Sequence, residues 1–136
     1  MKASCQCGKL TADVVDGAEA MTIACHCLDC QRRTGSPFGT IAYFPAEAVT
    51  VSGGASEYSR VGDSGQTLTR GFCPACGAAV YVKASRMPEI TGVPVGAFAD
   101  PSFAAPIRSV YEQSKHEWVP LPEGLTHHPR GRETSW

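Results

Sequence analysis

Cys73-Pro74-Ala75-Cys76-Gly77 restates, with one residue added, a pattern from the start of the chain, Cys5-Gln6-Cys7-Gly8. In both places a pair of thiols is followed at once by glycine. Two sulfurs close on one metal ion only where the backbone turns tightly around it, and glycine permits that turn. Together the pairs offer four sulfurs, the donor set of a closed tetrahedral zinc site. Such a site would staple the start of the chain to its middle.

The other three cysteines fall within Cys25-His26-Cys27-Leu28-Asp29-Cys30. In an extended segment Cys25 and Cys27 share a face, and a turn after them brings Cys30 round to the same ion. Three ligands leave one coordination position open, the pattern of a reactive zinc that takes water or an exogenous thiol. Two other arrangements stand beside this one. Cys27 and Cys30 could join Cys73 and Cys76 in a zinc ribbon, which breaks up both Cys-x-Cys pairs and leaves Cys5, Cys7 and Cys25 behind. The triple could also be a second structural site completed by His26, by Asp29 or by a side chain from elsewhere in the chain, although His26 faces away from Cys25 and Cys27 if the segment is extended.

Seven cysteines are an odd number, so they cannot all pair within one chain. That argues against a disulfide framework and for metal in a reducing, cytoplasmic setting. The 136 residues predict one compact unit, and 43% hydrophobic residues suffice for a core. Lys and Arg number 12 against 13 Asp and Glu, a net charge of -1. Thiolates on zinc would make it more negative, which excludes the basic surface that nucleic-acid binding needs. The longest apolar run, Ala78-Ala79-Val80-Tyr81-Val82, is far short of the roughly 18 residues of a membrane span, and Met1-Lys2-Ala3-Ser4 does not open an apolar signal segment. A soluble, unexported protein without nucleic-acid or membrane partners is expected.

Gly (14) and Pro (10) are frequent and leave little room for long helices. Leu10, Ala12 and Val14 alternate with Thr11 and Asp13 as in a half-buried strand. Further strand-like stretches are 40–44, 57–61, 66–72, 78–83 and 107–112, with Gly53-Gly54 and Gly62-Asp63-Ser64-Gly65 reading as hairpin turns. The expected class is a small, mainly β, mostly antiparallel domain. One short helix is predicted from Leu28 to Thr34, stopped by Gly35 and Pro37. The metal-binding domain would span residues 1–125, with 126–136 a meandering tail. His116, His127 and His128 read as surface, packing or solvated residues and receive no role.

The order Cys-x-Cys-Gly, Cys-His-Cys-x-x-Cys, Phe-Cys-Pro-x-Cys-Gly resembles the glutathione-dependent formaldehyde-activating family, also called the CENP-V/GFA domain family. The segment 31–38 after the middle cluster, Val95-Gly96-Ala97-Phe98-Ala99-Asp100-Pro101 and Trp118-Val119 extend the resemblance over roughly residues 3 to 125. It implies an Mss4-like, or β-tent, arrangement of antiparallel sheets joined by zinc. It implies that Cys5, Cys7, Cys73 and Cys76 hold a structural zinc and that Cys25, Cys27 and Cys30 hold a catalytic one, two Zn²⁺ per chain. It also implies formation of S-hydroxymethylglutathione from glutathione and formaldehyde, a reaction classed with the carbon-sulfur lyases.

One departure concerns Gln31, which stands where many relatives have arginine, with Arg32 and Arg33 following. These cations could grip the carboxylates of a thiol such as glutathione or form a solvated helix face. Beside the enzyme stand two other readings: a zinc-stabilised binding module without turnover, and a metal-handling or redox role for the cysteine triple.

Overall fold

The computed structural model describes residues 1–136. The chain divides into two compact units, residues 1–20 with 42–101 and residues 21–41 with 102–136. Each unit is built from two separate stretches of sequence, because the chain leaves the first after Ala20 and rejoins it at Ala42.

The first unit contains β1 (Lys2–Ser4), β2 (Thr11–Val14) and β5 (Val49–Ser52), an antiparallel sheet with β2 in the centre. Alternation in β2 buries Ala12 and Val14 while Asp13 faces out, as its pattern predicts. The same unit holds β6 (Ser56–Val61), β7 (Thr67–Phe72), β8 (Ala79–Ala84) and β9 (Ile90–Pro94) side by side in sequence order. β6 and β7 form the hairpin expected at Gly62–Gly65, closed by the Gly62 N–H donating to the Gln66 carbonyl at 2.9 Å. Leu10, Phe44, Val80 and Val93 are fully buried, and Phe44 meets Phe98 edge-on at 6.1 Å.

Gly53-Gly54 is not a hairpin. The strands on either side of it belong to different sheets, β5 pairing with β2 and β6 with β7. Gly53 has φ 97°, and a Cβ there would collide with the Lys9 carbonyl. The glycine therefore serves a close approach of two backbones as the chain changes sheet.

In the second unit β10 (Arg108–Val110) runs parallel to β3 (Met21–Cys25) on one side and to β11 (Thr126–His127) on the other. The one α-helix, α1 (Leu28–Thr34), has the predicted bounds. Gly35 ends it at φ 65°, its N–H donating to the Gln31 carbonyl at 2.8 Å. β4 (Gly39–Pro45) carries the chain from this unit's residues into those of the first.

The stretch 126–136 does not meander as the sequence suggests. His128 is buried, accepts from Arg108 Nη1 at 2.6 Å and donates from Nδ1 to the Thr134 carbonyl at 2.6 Å. Its N–H also donates to the Ser109 carbonyl at 2.9 Å. The reason lies in the backbone groups of β10, whose second edge finds partners in this segment.

Candidate metal centre

Cys5 and Cys7 lead out of β1, and Cys73 and Cys76 lie between β7 and β8. The two turns are built alike. The Gly8 N–H donates to the Cys5 carbonyl and the Gly77 N–H to the Cys73 carbonyl, and the two glycines have φ 81° and 80°. The Cys5 and Cys73 N–H groups each reach forward five residues, to the carbonyls of Leu10 and Ala78. The glycine read from sequence as a turn residue is thus in the left-handed region at both knuckles.

The four sulfurs lie within 4.8 Å of one another, with Cys5 to Cys7 at 3.7 Å and Cys7 to Cys73 at 3.6 Å. A tetrahedron of Zn–S bonds of about 2.3 Å places its sulfurs about 3.8 Å apart, so this donor set fits zinc. Backbone donors already favour charged sulfur here. The Leu10 N–H points at Cys5 Sγ at 3.3 Å, and the N–H groups of Ala78 and then Cys7 draw the Cys76 thiol down to about 6.

The second cluster is set by alternation that runs along β3 and continues into His26 and Cys27 just beyond its end. Thr22, Ala24 and His26 are buried on one face, which leaves Cys25 and Cys27 together on the other. The chain then turns into α1, whose first residues return Cys30, and Cys27 Sγ accepts from the Cys30 N–H at 3.3 Å. The three sulfurs lie within 4.8 Å of one another, and no fourth Cys, His, Asp or Glu donor belongs to the group. The zinc-ribbon pairing is not formed. His26 does not complete the triple either: its Nε2 lies 3.0 Å from Ser109 Oγ, its ring packs on Phe38, and burial pushes it below the usual imidazole range.

Negative charge in the triple gathers on Cys30, which is drawn down to about 2. Hydrogen bonds from Cys25 and Cys27 act first, and the Arg33 guanidinium then adds to them. Cys25 is correspondingly held well above the usual thiol range by hydrogen bonds with Cys27 and Cys30. Three converging cysteine sulfurs are a donor set that suits zinc.

Several residues around this cluster carry no sequence signal. Gln31 Nε2 donates to the carbonyls of His26 at 3.0 Å and Ser114 at 3.1 Å, and its Oε1 lies 3.0 Å from His116 Nε2. Ser114 Oγ donates to the same His26 carbonyl at 2.8 Å. The backbone between Cys25 and Cys27 is therefore tied to the segment 114–116 by side chains that no local pattern links. Only the place of Gln31, directly after Cys30, singles it out in the sequence.

Fold and site define a small, mainly β protein with two cysteine clusters that could each hold a metal ion, one of four sulfurs and one of three. The profile of a family described as "Glutathione-dependent formaldehyde-activating enzyme" (GFA) matches residues 1–114, and the chain belongs to that family. A Penicillium rubens protein provisionally named a glutathione-dependent formaldehyde-activating enzyme is 27% identical over 124 residues, 85% of this chain and 64% of that protein. A protein of Colletotrichum graminicola with the same provisional name is 27% identical over 118 residues, 80% of this chain and 61% of the relative. The chain thus matches less than two thirds of the length of these relatives. A crystal structure of a Rhodobacter sphaeroides protein is similar with a TM-score of 0.55 and 26% identity, over 71% of this chain and 86% of that one. No helix is long and apolar enough to cross a membrane.

Proposed function

We propose that this chain is a zinc-dependent, carbon-sulfur lyase-type enzyme. It takes a thiol such as glutathione at the Cys25, Cys27 and Cys30 site and forms or cleaves a hemithioacetal with formaldehyde or another small aldehyde. The observation that carries this reading is the convergence of three sulfurs without a fourth protein donor. Family membership and the names of the relatives support the same chemistry.

Cys25, Cys27 and Cys30 would hold a zinc ion, which when bound would let an incoming thiol, with an ordinary pKa of about 8.5, give up its proton at neutral pH. Cys25 holds one side of the site from the end of β3, Cys27 from the N-cap of α1, and Cys30 closes it from the first turn of α1. Gln31 and Ser114 keep the intervening His26 carbonyl fixed, so the cysteine pair does not drift as ligands exchange. The substrate sulfur then forms a bond to the carbonyl carbon, the C=O π pair moves to oxygen, and oxygen takes up a proton. In reverse the oxygen loses its proton, the carbonyl re-forms and the thiolate leaves. Cys5, Cys7, Cys73 and Cys76 would hold the second zinc, which would stabilise the fold. Such thiol-rich sites suit a reducing cytoplasm.

The test has two arms. Metal analysis of the purified protein should give two zinc ions per chain, and one ion at full occupancy would remove the two-site reading. In kinetics, hemithioacetal formation from glutathione and formaldehyde should be accelerated, and Cys27→Ser should abolish the acceleration. A folded, two-zinc protein without acceleration for any thiol would leave a zinc-stabilised binding module in its place.

A further inference from the structure

We propose that Arg33 is the counter-charge of the three-cysteine site, a positioning residue that fits it to an anionic thiolate rather than to a neutral fourth ligand. The inference rests on the open-site reading above and names what the open position selects.

Arg32 and Arg33 are adjacent in sequence but not alike in the fold. Arg32 is exposed, whereas Arg33 lies one turn of α1 beyond Cys30 and turns its guanidinium toward that sulfur, within hydrogen-bonding and Coulombic reach. Its Nη2 is fully buried and has no hydrogen-bond partner. What makes room for it is Gly39, a buried residue at the start of β4: a Cβ at that position would collide with Nη2 and lie 3.3 Å from Thr34 Cγ2. The guanidinium is thus seated in a slot that exists because residue 39 has no side chain.

The chemistry explains why a fixed cation belongs there. Three thiolates on one divalent ion already leave the site negative by one charge, and a fourth thiolate makes it negative by two. Gathering that charge in a half-buried place is unfavourable unless a cation stands beside it, and arginine stays protonated throughout. The buried Nη2 against Gly39 fixes where the cation stands, so its charge cannot swing out to solvent. Water or another neutral ligand in the fourth position would draw no advantage from it.

The experiment uses protein loaded with Co²⁺, in which sulfur-to-cobalt charge-transfer absorption reports each added thiolate. Wild type, Arg33→Gln, Gly39→Ala and the control Arg32→Gln are titrated with glutathione, with 2-mercaptoethanol, which carries no carboxylate, and with neutral imidazole. Circular dichroism checks folding. Arg33→Gln should weaken both thiols tenfold or more and leave imidazole within twofold. Gly39→Ala, which keeps the charge but displaces it, should follow Arg33→Gln. Arg32→Gln, with the same change in net charge, should match wild type.

Equal thiol affinities in wild type and Arg33→Gln would overturn the inference, as would a loss confined to glutathione, which would mark Arg33 as a carboxylate ligand. A loss of the same size in Arg32→Gln would reduce the effect to net charge and overturn it too. A wild-type spectrum that no thiol changes would instead overturn the open-site reading, and this inference with it.

Discussion

Gln31 Oε1 accepts a hydrogen bond from His116 Nε2 at 3.0 Å, and its direction is fixed. The amide nitrogen of Gln31 faces two backbone carbonyls that can only accept, those of His26 and Ser114. The amide oxygen must then face His116, which must donate through Nε2. Gln31→Ala removes both carbonyl contacts and should cost about 1–3 kcal/mol in denaturant unfolding. His116→Ala loses one exposed hydrogen bond and an edge-on contact with the exposed Trp118 ring, and should cost less than about 1 kcal/mol. Equal losses would show that the carbonyl contacts do not stabilise the segment beside Cys25 and Cys27.

Assigning folding to one cluster and chemistry to the other has a direct consequence for stability. Cys76→Ser should cripple folding, since a structural zinc contributes its binding free energy to the folded state. Cys30→Ser should leave a folded protein that has lost the reactive metal. Thermal melts of the two variants decide the matter, and equal damage would mean that both clusters are structural.

Gly71 and Tyr81 are register partners on β7 and β8, and the Tyr81 ring lies where a Cβ on residue 71 would be. The ring is held from the other end, its hydroxyl donating to Glu57 Oε2 at 2.9 Å. Gly71→Ala should therefore destabilise the protein by about 1–3 kcal/mol through overpacking. The double variant Gly71→Ala, Tyr81→Ala should lose less than the sum of the single changes. Additive losses would place the effect in the backbone instead of the ring.

Glu112 should shape the acid limb of stability. Burial alone would raise its pKa, but hydrogen bonds from His127 at 2.6 Å and from Ser109 and Trp136 outweigh it and hold the carboxyl below its ordinary range. A group depressed in the folded state contributes stability above its unfolded pKa, about 4.3, and loses that contribution as pH falls through the lower folded value. Melting temperatures from pH 6 to 3 should accordingly fall less steeply for Glu112→Gln than for wild type. Parallel curves would show that the carboxylate is not linked to folding.

The sequence by itself determined whatever depends on neighbours within a few positions. The knuckles at Cys5–Gly8 and Cys73–Gly77 were legible because a short spacing followed by a left-handed glycine leaves the backbone one way to turn. Alternation carried from β3 into the two residues after it placed Cys25 and Cys27 on one side with buried His26 between them, and Gly35 stopped α1 where expected. Tertiary structure alone decided which distant segments meet. Gly53-Gly54 looks like a hairpin turn, yet β5 found its partner in β2 instead of β6, so the same glycines carry the chain between sheets. His128 seemed solvated until β10 supplied an edge with unmet hydrogen bonds and Arg108 supplied a donor. Arg32 and Arg33 are indistinguishable on paper, and only the slot at Gly39 separates the solvated cation from the one beside Cys30. Local geometry is set by the few dihedral states open to each residue, whereas pairing between remote segments is chosen by burial and backbone satisfaction over the whole chain.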